Sequence, residues 1–240
     1  MAKMTLEELV AQLEKAYGAD LRAVVLFGSA AAGEMIPKRS DYNLLVIVDR
    51  LGVEQLRAAA AATRAWDDAG NSPPLTLTTD EWRRSSDIFP MEYADILERH
   101  RVLYGEPPFA GIVVDPAHLR LELEQQAMGK LLQLRRGVLD AGNDGRRQRE
   151  LLEASLSTMM VLFRAVLRLH GETPSTDYEA LSQAVARRAG LDPEPFLRVV
   201  RHVRGQVKLG TREAGDVLVG YLAGVERLVA HLDRFDAETA

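Results

Sequence analysis

The feature that most restricts the fold is a pair of short segments early in the chain, residues 21–27 and 42–48, which are apolar at successive positions except at Arg22 and Asn43. Segments of this length that do not alternate with polar residues are typical of strands buried on both faces of a sheet. A helix is predicted before them, because Thr5 and Glu8 match a capping box and Gly18 ends the apolar repeat. The first part of the chain is therefore predicted to be an α/β domain.

The remaining elements of this domain have weaker signals. An alanine-rich segment, residues 53–69, predicts a helix that ends before Pro73 and Pro74. Residues 75–78 and 102–104 are strand candidates, and a short helix is expected near residues 80–86. Residues 87–95 show neither the helical nor the strand periodicity of apolar residues and are interpreted as irregular. Together these elements predict a small mixed sheet accompanied by helices.

The second half of the chain has helical periodicity throughout. Asp115 followed by Pro116 is typical of a helix start, and no strand pattern returns after it. Apolar residues recur at helical spacing in three long segments that begin near Leu119, Leu152 and Leu218. Consecutive amphipathic helices with short loops predict an all-α helical bundle. The expected division is a domain over residues 1–110 and a bundle over residues 111–240.

Charge and cysteine content exclude several classes of protein. The 35 acidic and 30 basic residues give a net charge of -5, which argues against a protein that mainly coats nucleic acid. The chain has no cysteine, so disulfides and thiolate chemistry are excluded and any metal must use oxygen or imidazole ligands. Apolar runs fall short of the roughly 18 residues that a membrane span requires. We expect a cytoplasmic protein without a membrane partner.

Small and polar residues stand between the two apolar strands. Gly28 and Ser29 follow the first strand, and Ser40 and Asp41 precede the second, in which Asn43 is an early residue. Glycine lets a backbone come close to a phosphate, and the amides at a helix start attract anions. A serine hydroxyl can bond a phosphate oxygen. These properties suit a phosphate site at this end of the sheet, although a tight turn between a strand and a helix needs small residues in any case.

Leu26-Phe27-Gly28-Ser29, followed by Ser40-Asp41-Tyr42-Asn43 and an apolar strand, resembles the signature of the nucleotidyltransferase superfamily. That superfamily includes the aminoglycoside and the minimal nucleotidyltransferases. The resemblance implies an enzyme that transfers a nucleoside monophosphate from ATP or another NTP to a hydroxyl of a small-molecule or protein acceptor. It also implies Mg²⁺ bound by carboxylates on the second strand, here by Asp41 with Asn43 as a weaker ligand. Gly28, Ser29 and Ser40 would contact the nucleotide.

Three positions depart from the family pattern. Ala32 replaces an arginine of the turn, for which Lys38 or Arg39 in the same loop is a substitute phosphate contact. Asn43 replaces the second carboxylate, and an amide brings no negative charge to a divalent ion. Thr76 stands on the third strand, where a third acid is expected. These changes predict weaker metal binding.

Glu92 is the candidate for the missing acid and catalytic base, since it lies between apolar residues, with Asp95 three residues further on. The alternative is that Glu92 belongs to a solvated surface segment. Asp41 likewise has an alternative role as a local cap of its turn. A non-catalytic nucleotide sensor and an antitoxin-like, partner-binding protein are the alternative functions, because a fold does not confer its activity.

Other residues of the helical half are weaker candidates. Arg164 and His170 have counterparts in the helical domains that accompany minimal nucleotidyltransferases, but six residues separate them by about 120° around a helix. His170 is therefore interpreted as a packed residue near a helix end. The long apolar stripes of the bundle are also compatible with a homodimer.

Overall fold

The computed structural model describes residues 4–28, 30–31, 33 and 42–235. The chain divides into two compact units, Met1–Val114 and Asp115–Ala240. The first unit contains a four-stranded mixed sheet with helices, and the second unit is helical. This architecture confirms the predicted fold class. None of the helices in the described part of the chain is long and apolar enough to cross a membrane.

The first unit contains four strands and four α-helices in its described part. A single 3₁₀ turn, Gly18–Asp20, joins its first helix to its first strand. The elements are α1 (Leu6–Tyr17), β1 (Leu21–Phe27), β2 (Asn43–Val48), α2 (Val53–Asp68), β3 (Leu75–Thr78), α3 (Thr79–Arg84), α4 (Pro90–Glu98) and β4 (His100–Gly105). The strand order is β3-β2-β1-β4, in which β1 is antiparallel to both neighbours and β2 is parallel to β3. The strands β1 and β2 therefore lie at the centre of the sheet.

Both faces of the central strands are buried, as the apolar segments predict. One face carries Val24, Leu26 and Val46, which pack in a cluster with residues of α1 and α2 that includes Trp66. The other face carries Ala23, Val25, Leu45 and Ile47, in a cluster with three large side chains from α3 and α4: Trp82, Tyr93 and Ile96. Successive residues of a strand point to opposite faces, so a strand covered on both sides reads as one apolar run.

The helix α4 overlaps residues 87–95, for which the sequence predicts irregular structure, and that prediction is wrong for residues 90–95. Pro90 suits the first turn, where a backbone N–H has no helical partner. The side chains of Met91, Tyr93 and Ile96 are buried. Tyr93 stacks on Trp82 with ring centroids 4.0 Å apart, and its hydroxyl donates a 2.7 Å hydrogen bond to the Trp82 carbonyl. Packing against the sheet therefore decides the conformation of this segment.

The second unit consists of packed helices with a deep apolar core. They are α5 (Pro116–Ala141), α6 (Gly145–Leu169), α7 (Tyr178–Ala189), α8 (Glu194–Val203) and α9 (Ala214–Asp233). The helix α5 packs against α6 and α9. Phe196 lies at the centre, with ring centroids 5.1 Å from Phe163 and 4.4 Å from Tyr221. The Ser155 hydroxyl donates to the Tyr221 hydroxyl at 2.9 Å, which satisfies a polar group that is otherwise deeply buried.

Candidate functional site

Gly28 and Asn43 lie side by side at one end of the central strands. Gly28 directly follows β1, and Phe27, the last residue of β1, pairs with Asn43, the first residue of β2. The backbone of Gly28 has φ +74°, a conformation that side chains disfavour. Its N–H donates a 3.1 Å hydrogen bond to the Arg99 carbonyl, which connects this strand end to the end of α4.

Asp95 of α4 reaches the same place. A Cβ atom built on Gly28 would lie 3.3 Å from Asn43 Nδ2 and 3.7 Å from Asp95 Oδ2. Residues from β1, β2 and α4 therefore converge around the Gly28 backbone. Glu92, the acid singled out in the sequence, lies on the same helix with an exposed side chain, and its role as base stays a prediction.

Asp95 forms an ion pair with Arg99. Arg99 Nη2 lies 2.9 Å from Asp95 Oδ1 and 3.2 Å from Asp95 Oδ2, and the side chains are only 8% and 17% exposed. Because four residues separate them on a helix, the two side chains lie on one face. The guanidinium therefore balances the charge of the Asp95 carboxylate next to Gly28. The pair was not predicted from the sequence, although an acid four residues before an arginine on a helix is a recognisable signal.

The described residues do not form a magnesium site by themselves. Among them, no group of three or more acidic or histidine side chains is arranged to hold a metal ion. Asn43 contributes a neutral amide, and Asp95 is already bonded to Arg99, whereas magnesium prefers anionic oxygen ligands. Four of the predicted site residues lie outside the described residues, and their roles stay predictions: Ser29, Lys38, Ser40 and Asp41.

Thr76, on β3, takes part in strand pairing and in hydrogen bonds within the first unit. It pairs with Val46 of β2, and its hydroxyl donates to the Pro74 carbonyl at 3.4 Å. Its side chain also hydrogen-bonds the Tyr17 hydroxyl, which partly offsets the rise in the pKa of Tyr17 that burial causes. The threonine at this position therefore links β3 to α1.

Replacing Gly28 with alanine is expected to weaken about tenfold the nucleotide binding that the sequence predicts and to cost about 1–2 kcal/mol of folding free energy. The new Cβ would require a left-handed conformation and would crowd Asn43 and Asp95. Calorimetric titration with ATP measures the first effect, and thermal unfolding measures the second. Gly111→Ala is the matched control, because Gly111 has φ +78° with nothing within 4 Å of an added Cβ. Equal losses of binding in both variants would contradict a role for Gly28 in the site.

A histidine pair in the helical unit is a second cluster of titratable groups. His170 follows α6, and its Nε2 lies 3.0 Å from His231 Nε2 on α9. Burial lowers the pKa of both imidazoles below 6.5. Arg188 lowers the pKa of His170 further while Glu172 opposes it, and His170 and Arg234 lower that of His231. The packed environment matches the interpretation of His170 from sequence.

We expect acid to destabilise the helical unit through this pair. The unfolded chain binds protons near pH 6.5 and the folded pair binds them only at lower pH. The contribution of the pair to the free energy of unfolding is therefore fully present above pH 6.5. It is lost as the pH falls from that value through the pKa values of the folded pair. Thermal unfolding followed by circular dichroism measures the slope. Replacing His170 and His231 with glutamine should flatten it. An unchanged slope in the double variant would contradict the assignment.

Comparisons with known proteins bear on the whole chain. No protein-family model and no curated protein sequence matches it. Among solved structures, the chain is similar to the spectinomycin adenyltransferase AAD(9) from Enterococcus faecialis, determined with ATP and spectinomycin. The TM-score is 0.59 at 12% sequence identity, and the match covers 94% of this chain and 97% of that one. Both units are included in that coverage, so this chain has the fold of a nucleotidyltransferase, as its glycine-serine and aspartate pattern predicts.

Proposed function

We propose that this protein binds a nucleoside triphosphate near Gly28 and transfers its nucleoside monophosphate to a hydroxyl of a small molecule. One observation carries the proposal: the fold is shared over 94% of the chain with an adenyltransferase determined with ATP and spectinomycin. A likeness that covers the helical unit as well as the sheet favours a small-molecule acceptor over a protein acceptor.

In the proposed reaction, one bond to phosphorus forms and one breaks. The acceptor hydroxyl oxygen attacks the α-phosphorus, the bond from that phosphorus to the bridging oxygen breaks, and pyrophosphate leaves while the hydroxyl proton is released. Gly28 would allow the triphosphate to approach the backbone closely, because a side chain there would meet Asn43 and Asp95. Asn43 would donate its amide N–H to a phosphate oxygen. Glu92 stays the candidate for accepting the proton.

A second function, nucleotide binding without transfer, is favoured by the ion pair of Asp95 and Arg99. The pair is largely buried and neutral overall, so it adds no net negative charge beside Gly28. With Asn43 in place of a carboxylate, magnesium would be held weakly. A protein of this kind would sense a nucleotide or act on a partner protein in an antitoxin-like way, without releasing pyrophosphate.

Calorimetry and a transfer assay separate the two functions. ATP and GTP are titrated with and without magnesium, and pyrophosphate release is then followed with spectinomycin as a probe acceptor. Transfer predicts magnesium-dependent binding that Asp41→Ala removes, together with an acceptor that gains the mass of a nucleoside monophosphate. Binding that is indifferent to magnesium, without mass gain, would favour the sensor.

Asp68→Ala is the matched control for Asp41→Ala, because Asp68 is an exposed acid at the end of α2. Its binding should equal that of the parent chain. Failure of ATP and GTP to bind under either condition would overturn both functions and leave only the shared fold.

A further inference from the structure

One face of α5 carries a straight line of large apolar side chains that face solvent. They are exposed by 63%, 42%, 49% and 84% in chain order: Leu121, Met128, Leu132 and Leu139. At about 100° per residue, all of them fall within about 20° of one line along the helix. The opposite face of α5 is buried and includes Leu123, Ala127 and Leu134. We call the exposed line the α5 stripe.

The spacing within the α5 stripe is palindromic. Seven residues separate Leu121 from Met128, four separate Met128 from Leu132, and seven separate Leu132 from Leu139. The pattern is therefore symmetric about Lys130. A second copy of the helix that runs in the opposite direction, related by a two-fold axis at this level, would place Leu121 against Leu139 and Met128 against Leu132. Self-complementarity of this kind is what a two-fold interface requires.

Charges beside the α5 stripe favour the same antiparallel arrangement. The N-terminal half of α5 carries two glutamates and one arginine, Glu122, Glu124 and Arg120, and the C-terminal half carries two arginines and one aspartate, Arg135, Arg136 and Asp140, so the two halves have opposite net charge. Within the chain, Glu124 bonds Arg120 at 3.0 Å and Arg135 bonds Glu226 at 2.8 Å. An antiparallel copy would set each acidic half beside a basic half, whereas a parallel copy would set like charges together.

Glu122 and Arg136 lie on the same flank, about 100° and 60° from the line of the stripe. The two-fold axis would bring Arg136 of one copy beside Glu122 of the other, twice in the dimer. These contacts would form the polar rim around an apolar centre, which is the usual anatomy of an interface.

We propose that the α5 stripe is the interface of an antiparallel homodimer of this chain, with its two-fold axis level with Lys130, whose own side chain is buried on the opposite face of α5. The occupant is a second copy of the chain. The apolar spacing of the stripe matches its own reverse, and the acidic half of α5 in one copy would face the basic half in the other. The stripe is about 27 Å long, so the contact is narrow compared with that of an obligate dimer. The dimer therefore forms reversibly, with a dissociation constant of roughly 1–100 μM. This inference does not depend on nucleotide binding.

Sedimentation of the full chain over a range of concentrations tests the association. Met128→Glu should weaken it at least tenfold, because the substitution would put a carboxylate into both Met128–Leu132 contacts at the centre of the pair. Gln126→Glu is the matched control, since Gln126 is an exposed residue of α5 that lies about 160° around the helix from Met128. Both variants should keep the helical content and unfolding temperature of the parent monomer.

Cysteine cross-linking tests the orientation of the two copies. The chain has no cysteine of its own, so only the introduced thiols can form a disulfide. A chain with both Leu121→Cys and Leu139→Cys should form a covalent dimer on mild oxidation. Leu121→Cys alone should not, because the two copies of residue 121 would be about 27 Å apart in an antiparallel pair. Equal cross-linking of the single and double variants would overturn the arrangement.

Two further outcomes would also overturn the proposal. One is a chain that stays monomeric at every concentration and forms no cross-link in the double variant. The other is a Met128→Glu variant that loses monomer stability without any change in association, which would assign the stripe to a contact within the chain.

Discussion

Replacing Trp82 with alanine is expected to lower the free energy of unfolding of the first unit by about 3–5 kcal/mol. Trp82 is 1% exposed, stacks on Tyr93, and donates from its indole N–H to the Pro108 carbonyl at 2.6 Å. The substitution would leave a large cavity and an unpaired carbonyl between α3, α4 and the segment before the second unit. Because α4 carries Asp95 and is directly followed by Arg99, the proposed nucleotide binding should weaken as well.

Tryptophan fluorescence in a denaturant titration measures this effect selectively. The chain has two tryptophans, Trp66 and Trp82, and both belong to the first unit. In the variant, Trp66 alone reports the unfolding of the sheet. Arg83→Ala, an exposed neighbour on α3, is the control and should change stability by less than about 0.5 kcal/mol. A loss below 1 kcal/mol at Trp82 would contradict the packing described for α4.

Replacing Asn43 with aspartate is expected to raise magnesium-dependent ATP affinity about tenfold. The new carboxylate would stand at the head of β2, two residues after Asp41, and would supply the negative charge that an amide lacks. It would also lie beside the Asp95 and Arg99 pair, whose net charge is close to zero. Calorimetry with magnesium held in excess measures the change.

The same titration without magnesium should show weaker ATP binding for Asn43→Asp than for the parent chain, because the new carboxylate repels the triphosphate. Asn143→Asp carries the same substitution in the exposed turn before α6 and should leave both titrations unchanged. If Asn43→Asp has no effect in the presence of magnesium, Asp41 is not a metal ligand. The sensor function would then be the better supported one.

The sheet was predictable because its signals are local. Most successive residues of β1 and β2 are apolar. This pattern is typical of a strand that is buried on both faces of a sheet. The starts of α1 and α5 were equally predictable, since Thr5 and Asp115 are N-cap residues whose side chains accept hydrogen bonds from backbone N–H groups in the first turn. The glycine-serine and aspartate pattern indicated the fold for the same reason, because its residues are close in sequence.

The sequence by itself determined the elements whose causes lie within a few residues: the buried strands, the caps and the helical half. Only the tertiary structure decided which acid stands beside Gly28, because Asp95 reaches it through the docking of α4 on Trp82, across a large separation in sequence. It also decided which apolar line of α5 remains exposed, since α6 and α9 cover the other face. Periodicity identifies an apolar face, but burial depends on what packs against it.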